Sequence, residues 1–317
     1  MKRRSRRSSR LRLAVRVGAY ATIGAAVAVP VLRRRLRIPT PVTVVACYSA
    51  PLALAVLHPR SKKRDVAIFT AQMLAFTVVH ELPYDDPEKL RARLRSRYPI
   101  AVDRAIGGGS LPNARLQRLL GRLPAPAKAG ADRFLAWTHW LWFAEPYLAL
   151  ALILARDDSK FPRAARQMAA VFDLGCAVYF AAPTAPPWWS AEQGLTEGEE
   201  IKRVMVEVGE RTWGPAWPRM YETLGGNPWA AMPSLHFATS VSAALSLSEA
   251  GKVEGALGWT YALTLGFGLV YLGEHYVTDL LAGGLLVAAV RRGEPLAEPL
   301  VEGFNGVLRQ LERIASG

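Results

Sequence analysis

A chain of 317 residues that is 51% hydrophobic and 21% charged, with a formal net charge of +14, is too apolar to remain disordered. Its apolar residues are gathered into blocks of 15–22 residues instead of following the short period of a soluble core, which describes a polytopic membrane protein and excludes an ordinary water-soluble domain. The two cysteines, Cys47 and Cys176, both lie in apolar stretches and exclude a disulfide framework or a cysteine metal site.

Residues 1–16 hold Lys2 and seven arginines with no acid. Behind them the apolar run 17–32 ends in Arg33-Arg34-Arg35-Leu36-Arg37, with no small-residue cleavage site. The tail therefore reads as a cytoplasmic end facing anionic lipid, not as a secretory signal or a nucleic-acid-binding arm. Further blocks follow at 41–57, 65–82, 134–155, 164–182, 230–249, 255–274 and 276–290. As one helix, the 22 residues of 134–155 would be about 33 Å long, enough to cross a hydrocarbon core of about 30 Å. Blocks 164–182, 230–249 and 255–274 also have spanning length. The first two, interrupted by Pro30 and Pro51, read as tilted spans, re-entrant hairpins or interfacial helices, so six or eight crossings are expected. The chain divides into a basic tail with two short apolar segments (1–64), a membrane helix with a polar interfacial loop (65–133), a catalytic transmembrane core (134–290) and a C-terminal cytoplasmic tail (291–317).

Orientation follows from lysine and arginine. With the long loop 83–133 set aside, an arrangement with both termini inside puts 21 of these residues on the cytoplasmic face and 8 outside. The Arg33–Arg37 cluster is the exception, and it would move inside if the first two blocks did not span. Loop 83–133, in which arginines alternate with apolar residues before Gly107-Gly108-Gly109, predicts one or two interfacial helices with snorkelling arginines. Segment 183–229 is rich in proline and tryptophan, as suits an aromatic belt or a lid over a lipid cleft.

Two of the five histidines stand where polar groups are costly. His236 follows Pro233 and Ser234, a proline and a cap residue suited to opening a helix whose N-terminus would receive an anion such as phosphate. His275 stands four residues before Asp279, on one face if the segment is helical, and a carboxylate on one ring nitrogen raises the basicity of the other. Blocks 230–249 and 255–274 run in opposite directions, so both histidines end on the same membrane face. Such a set suits phosphoryl transfer by a nucleophile and a separate acid. No His-x3-His or carboxylate cluster provides for a metal, and no cofactor is expected. His139, Glu145 and Asp173 lie within membrane blocks and are expected to line a cavity, His139 as part of a substrate or acceptor pocket.

Ala-Met-Pro-Ser-Leu-His at 231–236 and His275-x3-Asp279 followed by Gly283 resemble two signatures of the type 2 phosphatidic acid phosphatase superfamily. Together with Pro-Thr-Ala-Pro-Pro-Trp-Trp at 183–189, they are most similar to the inositol phosphorylceramide synthase branch and its bacterial relatives. The resemblance covers about residues 134–290. It implies an all-α membrane helical bundle with six core spans and metal-independent chemistry, in which His275 is the nucleophile that forms a phosphohistidine, Asp279 orients it and His236 protonates the leaving alkoxide. The family's Lys-x6-Arg-Pro signature is absent, Gly175 and Ala182 occupying its lysine and arginine positions, and Leu269 replaces the arginine six residues before the nucleophile. Lys202, Arg203, Arg211 and Arg219 are the candidate replacements, with Ser234, Trp188 and Trp189 as further substrate-binding residues. The expected activity is that of a membrane lipid phosphatase or phosphotransferase on the extracytoplasmic face of the inner or plasma membrane. It would act on a lipid phosphate or phospho-headgroup, and the reading leans towards transfer to a polyol or lipid hydroxyl. A non-catalytic carrier or flippase of lipid phosphates is the alternative.

Overall fold

A computed structural model describes residues 2–225 and 227–316. The side chains of residues 2–8 and 222–225 lie outside the described residues, and with them the lipid contact expected of the first arginines. The helices are α1 (Lys2–Leu36), α2 (Thr40–Leu57), α3 (Lys62–Glu81), α4 (Pro87–Ala92), α5 (Arg97–Ile106), α6 (Pro112–Leu120), α7 (Ala125–Leu141), α8 (Glu145–Arg156), α9 (Phe161–Ala181), α10 (Pro187–Glu192), α11 (Val204–Trp213), α12 (Trp217–Gly225), α13 (Leu235–Ala250), α14 (Lys252–Tyr271) and α15 (Val277–Ser316). No β-strand occurs among the described residues, and the fold is the expected all-α bundle. Proline opens many of these helices at the first or second position, where its missing N–H would have had no intrahelical partner.

The helices form two compact units, one of residues 1–85 with 291–317 and one of residues 86–290. In the first, α1 packs on α2 and α2 on α3, with Ala19, Ala53 and Leu57 in their core. Ser9–Leu36, Thr40–Leu57 and Lys62–Asp85 are each long and apolar enough to cross a membrane. Pro30 and Pro51 do not interrupt α1 and α2, as their place in the blocks suggested they would. In apolar surroundings a neighbouring helix and local adjustment tolerate the freed carbonyl better than in water. The arginine cluster in the last turn of α1 is partly neutralised, since Asp85 pairs with both Arg33 (2.8 Å) and Arg34 (2.7 Å).

The second unit is centred on the antiparallel pair α13 and α14. Small residues let the two backbones approach closely, and a Cβ on Gly258 would lie 2.8 Å from Ala244 Cα. Buried hydroxyls of α13 are satisfied within the helix, as when Thr239 donates to the Leu235 carbonyl (2.7 Å) and Ser240 to the His236 carbonyl (2.8 Å). Helices α8 and α9 pack on α13, and α6 and α7 on α14. Block 134–155 is not the single helix its length suggested. It breaks at residues 142–144, between α7 and α8, because Pro146 lacks an N–H and its ring would clash with the carbonyl of Trp142.

Loop 83–133 does contain short amphipathic helices, α5 and α6, joined through Gly108 and Gly109 at positive φ. One of its arginines does something other than snorkel: Arg104 pairs with Glu197 (2.6 Å) and donates to the Thr196 carbonyl (2.8 Å). In segment 183–229, Thr184 forms isolated parallel bridges to Arg95 on one side and Ala230 on the other.

Candidate active site

The N-terminus of α13 carries His236, and the turn between α14 and α15 carries His275. Ser234 caps α13, its hydroxyl accepting from Phe237 N (3.3 Å), while its own N–H donates to the Asp279 carbonyl (2.9 Å). That backbone bond ties the start of α13 to the first turn of α15. His236 Nδ1 thereby lies 3.1 Å from His275 Nε2, and His275 Nδ1 lies 3.3 Å from Asp279 Oδ2. His275 precedes α15, so the contact with Asp279 comes from a turn: Asp279 Oδ2 also accepts from Tyr276 N (2.9 Å). Asp279 is fully buried and His275 nearly so.

His236 lies between two rings, with Trp142 at 4.1 Å and His139 at 4.7 Å between centroids. The break between α7 and α8 makes this possible, since it puts Trp142 just past the end of α7, where its indole N–H donates to Thr239 Oγ1 (2.8 Å). His139 is buried, and neither of its ring nitrogens has a hydrogen-bond partner.

Of the four candidate cations, Arg203 is the half-buried one, and it alone pairs with the residue next to His275. Its guanidinium pairs in a bidentate manner with Glu274, Nε to Oε1 at 2.9 Å and Nη2 to Oε2 at 3.3 Å, and lies 4.1 Å over the Trp188 ring and 5.2 Å over Tyr221. Burial by itself would push the Glu274 carboxyl up, but Arg203, helped by His139 and His275, holds it below the usual carboxylate value. Lys202 is exposed, and its backbone is bound at N–H and carbonyl by Gln117. Arg211 is exposed and pairs with Glu207 in its own helix (3.5 Å), and Arg219 is exposed on α12. Trp189 packs on Trp229 and under Arg91. Trp188 reaches the turn that carries His275, its backbone N–H donating to the Gly273 carbonyl (3.2 Å). Gly273 is at φ +83°, and a Cβ there would stand 2.6 Å from the Lys202 carbonyl, so this seam requires glycine.

A family model described as the PAP2 superfamily matches residues 118–291, more than half of the chain. The chain belongs to the PAP2 superfamily. An inositol phosphorylceramide synthase of Candida albicans is 24% identical over 264 residues, which take in 80% of this chain and 51% of that protein. The chain thus spans about half the length of the curated relative it matches. No solved structure matches it.

Gly175 and Leu269, which the resemblance set at positions of a phosphate clamp, are packing residues in this PAP2 chain. A Cβ on Gly175 would meet the Leu235 side chain at 2.5 Å, and Leu269 is fully buried among Leu265, Val270 and Leu280. Sequence reasoning missed Glu274, although a carboxylate next to a histidine at a membrane boundary was a visible signal. It also missed Asp103 and Asn113, which lie before the family-matched stretch. Asp103 accepts from Val277 N (2.8 Å), Thr278 N (2.9 Å) and the Thr278 hydroxyl, capping α15 from outside. Asn113 donates to the carbonyls of Val270 (2.7 Å) and His275 (2.9 Å). These partners are 157 or more residues apart in sequence, and nothing in the local pattern signals them.

Replacing Asn113 with Leu should leave the His275 carbonyl buried and unpaired, at a cost of about 1–3 kcal/mol. The loosened catalytic turn should also slow turnover about 10–100-fold. Thermal unfolding in detergent and steady-state rates check this; an unchanged midpoint and rate would show that α6 does not brace the turn.

Proposed function

We propose that this PAP2 protein is a membrane phosphotransferase that takes a phospho-headgroup from a lipid through a phosphohistidine on His275. The observation that carries the reading is the 3.1 Å contact between His236 Nδ1 and His275 Nε2, backed by Asp279. Asp279 accepts the proton-bearing Nδ1 of His275 and so leaves a lone pair on Nε2, directed at His236. At 3.1 Å the two rings leave no room for phosphorus between them, so the His236 ring turns aside as the donor lipid enters. Nε2 then attacks, and His236 protonates the departing glycerol oxygen. In the second half His236 takes the proton of the incoming hydroxyl as the N–P bond breaks.

Charge on the phosphoryl oxygens is met by Arg203 and by the N-terminus of α13. Transfer, as opposed to hydrolysis, calls for a covered site. Support comes from α10, whose Trp188 hydrogen-bonds the catalytic turn and carries Arg203 on its ring. The inositol phosphorylceramide synthase relative points the same way, towards a phosphoinositol-like donor group and a polyol or lipid hydroxyl acceptor. The short-loop excess of lysine and arginine supports an extracytoplasmic site with both termini inside.

The test gives the purified protein a panel of lipid phosphates and phosphodiester lipids in EDTA, following both phosphate release and headgroup transfer. His275→Ala and His236→Ala should each lose at least about 10³-fold in rate, and Asp279→Asn about 10²–10⁴-fold, with folding intact. Near-normal turnover by His275→Ala would refute the mechanism, and lipid binding without turnover by the wild type would favour a carrier.

Replacing Trp188 with Ala should raise hydrolysis relative to transfer, and Trp189→Ala should do so less, because of the two it is Trp188 whose ring lies under Arg203. An equal fall in both reactions would make the protein a phosphatase without a lid.

For orientation, a cysteine placed within residues 190–200 should react with a membrane-impermeant thiol reagent on intact cells, and one at position 252 should not. The reverse pattern would put the chemistry on the cytoplasmic face.

A further inference from the structure

We infer that Glu274 is a specificity-determining residue that makes the site accept a phosphodiester monoanion and reject a phosphomonoester dianion. The inference rests on the reading of His275 as nucleophile and adds to it the charge class of the donor. Gly175, Ala182 and Leu269 bring no charge to this part of the molecule. The cation here is Arg203, with two guanidinium nitrogens already engaged by Glu274. Glu274 has a side chain only 10% exposed, is adjacent in sequence to the nucleophile, and is close enough for its charge to act on both His139 and His275. Asp279 adds a second buried carboxylate 3.3 Å from the nucleophile's far nitrogen. The charges nearest the reacting phosphorus are thus one cation, Arg203, against two anions, Glu274 and Asp279, with the buried Asp103 a further anion behind Asp279 at the start of α15. One further proton on the histidine pair makes the site neutral. A monoanion can enter such a site, whereas a second negative charge faces Glu274 without a cation of its own.

The arrangement is rigid. Arg203 is fixed between the Trp188 and Tyr221 rings, Val204 N donates to the Leu272 carbonyl (3.2 Å), and Gly273 admits no side chain against Lys202. Arg203 therefore cannot swing away from Glu274 to serve a dianion in full. The groups that face Glu274 are Arg203, Trp188 from α10, Tyr221 from α12, His139 from α7 and His275. None of them supplies a second permanent positive charge.

Two lipids with the same leaving group make the comparison direct: a diacylglycerol phosphate and a diacylglycerol phosphoinositol with identical acyl chains, in mixed micelles. In both, the His275 Nε2–P bond forms, the bond from phosphorus to the glycerol oxygen breaks, and His236 gives that oxygen its proton, so diacylglycerol release reads both reactions. Wild type should prefer the diester, and Glu274→Gln should move the kcat/KM ratio towards the monoester by about tenfold or more, chiefly through KM. A purely structural role for Glu274 would lower both substrates by the same factor, and that result overturns the inference. With the wild type alone, the ratio should also rise towards the monoester as pH falls through about 6, where a phosphomonoester dianion takes up a proton and becomes a monoanion. A flat ratio overturns the inference without reference to any variant. A third arm needs no turnover: inorganic phosphate at alkaline pH should raise the unfolding temperature of Glu274→Gln more than that of wild type. Equal shifts would count against Glu274, whereas failure of the phosphohistidine reading would show instead as loss of diacylglycerol release on both lipids.

Discussion

Asp279 holds the candidate site together, because two of its oxygens, Oδ2 and the backbone carbonyl, serve three contacts at once. Its side chain accepts from His275 Nδ1 and from Tyr276 N, and its backbone carbonyl accepts from Ser234 N. The first contact sets the tautomer of the proposed nucleophile, the second shapes the turn before α15, and the third brings in the helix that carries His236. A buried carboxylate without such partners would be strongly unfavourable, so the burial of Asp279 is itself a constraint that drives the two helix starts together.

Around this centre the unit is built from polar side chains that bind backbone instead of one another. Asp103 caps α15, Asn113 and Gln117 hold the carbonyls of the turn that carries His275 and of its neighbours, and the main-chain N–H of Trp188 adds a bond to the Gly273 carbonyl. Each of these satisfies a main-chain group that a turn at the edge of a membrane bundle leaves without a helical partner. A loop that is irregular by itself is thereby held as firmly as a helix, which is the preorganisation that group transfer requires.

The electrostatics of the site differ from those of a cation-rich phosphate clamp. One guanidinium, paired with one carboxylate and packed on two aromatic rings, occupies the region beside the histidines. Arginine suits this role because its planar fork satisfies a carboxylate in a bidentate manner while its face remains on an indole. Gly175 and Leu269 serve packing, and charge stands where the backbone of segment 183–204 meets the turn at 272–275.

Much of this was legible in the residues themselves. Block lengths and the basic tail identify an all-helical membrane protein; the Pro233-Ser234 start of α13 and the four-residue spacing of His275 and Asp279 are local signals, because capping and turn geometry act over a few residues. The shared face of the two histidines follows from the alternating direction of successive blocks. The break in block 134–155 was also written there, in Pro146, but apolar length outweighed it in the reading. What only the tertiary structure decided are the partnerships between distant segments: Arg203 with Glu274, Asp103 with the start of α15, Asn113 with the His275 carbonyl, and His139 against His236. A sequence records that a residue carries a charge or an amide, but which group meets that need depends on how helices far apart along the chain pack, and no local periodicity encodes it.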